Sequence, residues 1–167
     1  MRQPKIAFTG PECSGKSTLS KWLAKELSYE IVQEYAREYL TDHPDYTKDD
    51  LDKIAVEQFE RSLVPGPLVL DTEMLVMKIW SEEKYHIVSE QISQLLKRQD
   101  LDFYFLCKPD FEWISDPMRE NPLDRDRLFQ IYEFYLEKFN FPYCVLSGTE
   151  NERKQRIKAT LANTDLL

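Results

Sequence analysis

The sequence of 167 residues holds four glycines, three cysteines and two histidines, and each shortage narrows what the chain can be. Cys13, Cys107 and Cys144 are an odd number without metal-ligand spacing, and two histidines do not complete a set, so neither a disulfide framework nor a zinc site is expected. No apolar run approaches the ~20 residues that a membrane-crossing helix needs. The start "MRQPKIAFTG" has neither a long apolar segment nor a small-residue cleavage site, so the expected location is the reducing cytoplasm. Basic charge is scarce too. With 22 Lys and Arg against 30 Asp and Glu, the net charge of −8 argues against nucleic acid as the main partner, because that binding rests on a basic face.

What is present is an ordinary globular composition, 42% hydrophobic and 31% charged, and the length predicts one domain over 1–167 with its own core. Short apolar runs at 5–9, 30–32, 68–71, 103–107 and 143–147 read as strands, and their unbroken apolar character fits a parallel sheet covered on both faces. Helical spacing fills the gaps. Leu51, Ile54, Ala55, Gln58, Phe59 and Leu63 share one face, and Thr47 with Asp50 forms a capping box at its start. Leu128, Ile131, Tyr132, Tyr135, Leu136 and Phe139 repeat the pattern, and Thr149 with Glu152 caps the last helix. This alternation predicts an α/β sandwich with right-handed crossovers. The irregular places are 41–47 and the proline- and charge-rich stretch 108–127.

Two of the four glycines fall in "GPECSGKS", which matches G-x-x-x-x-G-K-[ST] between an expected strand and an expected helix. Gly10 and Gly15 permit backbone conformations in which successive N–H groups turn inward around an anion, and the helix adds the positive end of its dipole. The nucleotide loop is therefore Gly10, Pro11, Glu12, Cys13, Ser14, Gly15, Lys16, Ser17 and Thr18. Lys16 reaches the β- and γ-phosphates of ATP, and the Ser17 hydroxyl serves Mg²⁺. Cys13 reads as a small side chain that the loop tolerates.

A phosphate loop of this kind works with a carboxylate at the end of a neighbouring strand, and Asp71 in "VLDTE" occupies that place. Asp71 or Thr72 also qualifies as the N-cap of the helix that follows, so both readings stand. Just after the second strand, "QEYAREYL" offers Glu34 to orient or deprotonate an acceptor, beside Tyr35 and Arg37; a solvated helix face with i, i+3 pairs explains the same residues. In the irregular stretch, Arg119, Arg125 and Arg127 fit a lid over the phosphates at about 109–127, although Asp116, Glu120, Asp124 and Asp126 are there to pair with them. Trp113 reads as an anchor for this segment, and "SGT" at 147–149 as either an adenine-facing turn or a plain helix cap.

Two relatives are excluded by residues. A GTPase would carry Asp-x-x-Gly after the third strand, where Met74 stands, and an Asn-Lys-x-Asp that is absent; a hexameric motor would carry adjacent Asp-Glu, which Thr72 interrupts. A small-molecule kinase fits best. "GPECSGKSTL", "QEYAREYL", "YTKDDLDKIA", "VLDTE" and "EWISDPMRENPLDRD" together resemble the nicotinamide riboside kinase domain of bifunctional NAD-salvage proteins of the NadR type, within the wider NadR-like class of AAA domains.

That resemblance covers nearly the whole chain and implies a P-loop sandwich with a parallel five-stranded sheet of order 2-3-1-4-5. It implies ATP and Mg²⁺ as cofactors and a nucleoside-like substrate. Gly10, Gly15, Lys16 and Ser17 would hold ATP and metal. Glu34, Tyr35, Arg37, Asp71 and Thr72 would face the riboside, and Lys16, Glu34, Asp71, Arg119 and Arg125 would carry the catalysis with Arg127 on the nucleotide. The adenylyltransferase signature His-x-Gly-His of the bifunctional relatives is absent, since neither His43 nor His86 lies near a glycine. Kinases for another nucleoside or metabolite, and an ATP-binding switch without an acceptor, are the alternatives.

Overall fold

The computed structural model describes residues 3–166. Along the chain run β1 (Lys5–Thr9), α1 (Lys16–Leu27), β2 (Glu30–Val32), α2 (Tyr35–Asp42), α3 (Lys48–Arg61) and β3 (Leu68–Asp71). They are followed by α4 (Met74–Tyr85), α5 (Glu90–Arg98), β4 (Phe103–Cys107), α6 (Arg125–Lys138), β5 (Tyr143–Leu146) and α7 (Glu150–Ala162). The strands form one parallel sheet in the order β2-β3-β1-β4-β5, the order that the resemblance implies.

The pleat sorts side chains into two cores. Ile6, Phe8, Val69, Phe103 and Phe105 point to one face, where Leu19, Leu23 and Ala24 of α1 and Ile157 and Leu161 of α7 cover them. Ala7, Leu68, Leu70, Tyr104 and Leu106 point to the other, under α2 to α6. Strands covered on both sides are continuously apolar, which is why β1, β3 and β4 are almost wholly buried while the edge strands β2 and β5 are not.

Local signals set most boundaries. The capping boxes Thr47/Asp50 and Thr149/Glu152 start α3 and α7. Two starts differ from expectation. Neither Asp71 nor Thr72 caps α4: Glu73 is its N-cap, and the carboxylate accepts from Leu75 N at 2.7 Å. α6 begins at Arg125, with Asp124 as N-cap, so the irregular stretch covers 108–124 and Arg125 and Arg127 stand in a helical first turn instead of a loop. β5 also ends one residue early, at Leu146.

All five strands end toward one edge of the sheet, and three of the segments that leave it there are held to each other by an arginine that is 0% exposed. Arg153 of α7 donates from Nη1 to Ser14 O at 2.7 Å, from Nε to Gly148 O at 2.9 Å, and from Nη2 to Lys108 O at 2.8 Å and Asp110 Oδ2 at 3.1 Å. Its guanidinium also stacks on Phe111, 4.5 Å from the ring centre. One planar fork thus joins the β1–α1 loop, the chain after β4 and the β5–α7 turn, a geometry that a lysine does not reproduce. Each buried acceptor left unpaired costs about 1–3 kcal/mol, so Arg153→Met is expected to lower the unfolding free energy by about 3 kcal/mol or more in urea denaturation. Arg153→Lys should recover little of that loss; near-full recovery would show that charge alone suffices.

Candidate active site

The loop after β1 is shaped by three left-handed residues in a row of six: Gly10 at φ +130°, Cys13 at +54° and Gly15 at +89°. A Cβ on Gly10 would lie 2.7 Å from Cys107 O, and one on Gly15 would lie 3.0 Å from the Phe111 ring, so both glycines are required by space as well as by φ. The loop so turned ends at the N-terminus of α1, whose first turn holds no acidic residue to oppose an anion. Lys16 folds back over this loop, with Nζ donating to Gly10 O at 2.9 Å and to Pro11 O at 2.7 Å. Ser14 is buried and donates to Pro11 O at 2.6 Å, while Ser17 and Thr18 line the cleft in front.

Across from the loop, β3 ends in Asp71, which is 3% exposed and whose Oδ1 has no hydrogen-bond partner among the described residues. A buried, orphaned carboxylate oxygen in the same cleft as the Ser17 hydroxyl offers hard oxygens of the kind Mg²⁺ prefers, which takes one or two protein ligands and completes its shell with phosphate and water. The chain turns at once after it. Thr72 takes φ +70°, a strained value for a β-branched residue, and its N–H donates to Phe8 O at 3.2 Å. Thr72 is buried and does not line the cleft. Glu73, one residue on, is fully enclosed: Thr9 Oγ1 donates to it at 2.8 Å and Gln99 Nε2 at 3.0 Å, besides the Leu75 amide. Burial pushes its carboxyl up, against these donors. Glu73 therefore ties the end of β1 to the start of α4 and fixes the frame in which Asp71 sits.

The third wall comes from β2. Glu34 is the N-cap of α2, yet its side chain makes no capping bond; it lies in the cleft with Arg37 Nε 3.3 Å from its Oε2. Burial, and then the facing charge of Asp71, push the Glu34 carboxyl above its ordinary value, while Lys16 and Arg37 pull the other way. A carboxylate held above its ordinary value is a stronger proton acceptor than one free in water. Arg37 also reaches Asp116 of the irregular stretch at 3.2 Å. Tyr35 points elsewhere: its ring packs under Arg61, 4.4 Å from the guanidinium carbon, and does not line the cleft.

The stretch 108–124 crosses over this cleft. Glu12 of the phosphate loop accepts from Glu120 N at 3.0 Å and Asn121 N at 2.7 Å, and Cys13 Sγ donates to Glu112 O at 3.4 Å. Farther along, the Glu120 carboxylate accepts from Tyr46 Oη at 2.7 Å and Lys84 Nζ at 2.6 Å. The three arginines part company. Arg119 lines the cleft and donates to Ile114 O at 2.5 Å, with a buried Nε that has no partner among the described residues. Arg125 clamps Cys13 O at 3.1 Å and Phe111 O at 2.7 Å, fastening the stretch to the phosphate loop. Arg127 is bound to Glu83 and Asp124 and does not line the cleft. The Trp113 indole N–H is likewise buried and unpaired among the described residues. At 147–149 the cap reading of the turn holds, since Thr149 caps α7, and Gly148 O is held by Arg153.

The cleft so enclosed has a volume of about 1140 Å³. Lys16, Glu34, Arg37, Asp71 and Arg119 line it, and Trp80, Leu128 and Tyr132 from α4 and α6 add an apolar floor. Sequence reasoning did not single out Arg153, Glu73 or Trp80. An arginine on the inner face of an otherwise amphipathic last helix was the available sign for the first, and an acid next to a helix start for the second.

A family model described as an AAA domain matches residues 5–153. No curated protein sequence matches the chain. Among solved structures, a NadR protein in complex with NR is 21% identical with a TM-score of 0.77, over 96% of this chain and 51% of that one. A NadR protein in complex with NAD and AMP-PNP is 20% identical with a TM-score of 0.72, over 96% and 49%. Deoxyadenosine kinase from M. mycoides is 17% identical with a TM-score of 0.64, over 96% and 100%. The chain spans about half the length of the NadR structures. At these identities the likeness is one of fold, the five-stranded P-loop kinase sandwich. Since the family model runs from the first residue of β1 to Arg153 on α7, the chain belongs to the AAA domain family.

Proposed function

We propose that the chain is an ATP- and Mg²⁺-dependent kinase that phosphorylates a hydroxyl of a small nucleoside-like molecule, with nicotinamide riboside as the acceptor and nicotinamide mononucleotide as the product. The observation that carries this reading is the meeting of Glu34 and Asp71 with Lys16 in one cleft. A switch that only binds nucleotide needs no carboxylate of raised pKa facing its phosphate loop. The choice of nicotinamide riboside is supported by the shared motifs and by the likeness to a NadR protein solved with NR. Three cysteines without disulfides among the described residues fit a reducing cytoplasm, and no described helix is long and apolar enough to cross a membrane.

On this reading the work divides among a few groups. Inward N–H groups of residues 10–17 and the N-terminus of α1 bind the phosphates, and Lys16 leaves the Gly10 and Pro11 carbonyls to follow the transferring group. Ser17 and Asp71 would hold Mg²⁺, which when bound neutralises charge on the phosphate oxygens. Glu34 orients the acceptor hydroxyl and takes its proton, with Arg37 setting the carboxylate's direction. Arg119 faces the charge that develops between the phosphates, and Arg125 keeps the covering stretch on the loop. The exclusion of water by residues 108–124 protects ATP from hydrolysis.

Incubation with Mg·ATP and a panel of nucleosides should yield nicotinamide mononucleotide by mass spectrometry. Transfer to a different member would move the acceptor assignment, and ATP binding without any transfer would remove the kinase. Lys16→Ala should abolish transfer, with loss of at least about a hundredfold in kcat. Glu34→Gln should cut kcat by about 10²–10⁴-fold while ATP binding persists. Because Glu34 must be ionised to accept a proton and burial raises its carboxyl above the ordinary glutamate value, kcat/KM should fall on the acid side at a higher pH than an ordinary glutamate would give. The Glu34→Gln variant should lack that acid limb; an unchanged profile would assign it to another group.

A further inference from the structure

Glu34 stands at the N-cap of α2 without capping it, which leaves the helix short of an acceptor for its open N–H groups. The side chain that supplies one comes from α3. Gln58 is 2% exposed, and its Oε1 accepts the Tyr35 amide at 2.8 Å while its Nε2 donates to Gln33 O at 3.3 Å. Both polar ends of a buried amide are thus used on the backbone directly before and directly after Glu34. Gln58 is on the core face of α3 between Leu51, Ile54, Ala55 and Phe59, where an apolar residue continues the stripe. A buried amide at such a place is retained only when its bonds are satisfied.

We propose that Gln58 is a positioning residue for the acceptor carboxylate: by holding the Gln33 carbonyl and the Tyr35 amide it fixes the backbone on both sides of Glu34 and so keeps that side chain facing the cleft. Without Gln58, the Tyr35 amide and the Gln33 carbonyl lose these partners, and the backbone that aims Glu34 is free to shift. Such a shift withdraws the carboxylate from Arg37 and from the acceptor. Gln58 touches neither substrate nor phosphate loop, so its effect is routed entirely through residues 33–35. This inference rests on the role given to Glu34 above.

The test pairs Gln58→Met, of similar length and without hydrogen bonds, with Glu34→Gln in a double-mutant cycle. Gln58→Met should lower kcat by about tenfold to a hundredfold, the cost of misplacing a reacting group by ~1 Å, with the KM for ATP changed less than about twofold. In the Glu34→Gln background the same change should have almost no further effect on kcat. Equal losses in both backgrounds would overturn the proposal, because a merely structural residue lowers both alike. Amide exchange in the wild-type protein needs no turnover and no variant. Tyr35 N–H should be protected to the level of the α3 core, and free exchange there would overturn the proposal. If Glu34→Gln alone left kcat intact, the assigned role of Glu34 would fail, while the Tyr35 amide would still report on Gln58.

Discussion

β1 runs through the middle of a sheet covered on both faces, and its chain must leave by passing the end of β4. At Gly10 the gap to the Cys107 carbonyl is too small for any Cβ, and the backbone is already at positive φ. That squeeze turns the chain sharply at the end of β1, and α1 starts within six residues. The other groups at this edge are arranged around the loop that results. Asp71 ends the strand on one side of β1, Lys108 begins the covering stretch on the other, and Arg153 holds the loop through Ser14 O.

The fold was largely legible because its signals are local. Apolar runs of four or five residues mark strands that have helices on both faces, and two Thr-x-x-acid pairs mark helix starts. The start of α4 is hidden in the sequence because a strained Thr72 shifts the cap to Glu73, and no residue pattern announces a left-handed β-branched residue. The start of α6 is hidden for the opposite reason. Arginines and aspartates at 124–127 have neither apolar period nor a strong cap, so they resemble loop until the helix is seen to begin there.

The site was legible in part. Glycines and the Lys-Ser pair have positions fixed by chemistry, and the carboxylates at the ends of β2 and β3 follow from where strands end. Arg127 and Tyr35 could not be sorted by sequence, because whether a side chain reaches the cleft depends on competitors elsewhere in the chain. For Arg127 these are Glu83 and Asp124; for Tyr35 it is Arg61. Arg153 is the reverse case. Its chemistry is visible only once three loops are known to end at the same place.

The strained turn at Thr72 bears on how well the site can be aimed. A glycine there would relieve the backbone, yet it would give the chain between Asp71 and Glu73 many more conformations to lose and nothing to restrict them in the folded protein. A branched side chain has few states to begin with. By keeping threonine in a conformation it dislikes, clamped between the Phe8 carbonyl and a fully bonded Glu73, the fold exchanges about 1–3 kcal/mol of strain for a narrower spread of Asp71 positions. The tolerance of the carboxylate's placement is therefore set by conformational entropy at its neighbour, one residue outside the cleft.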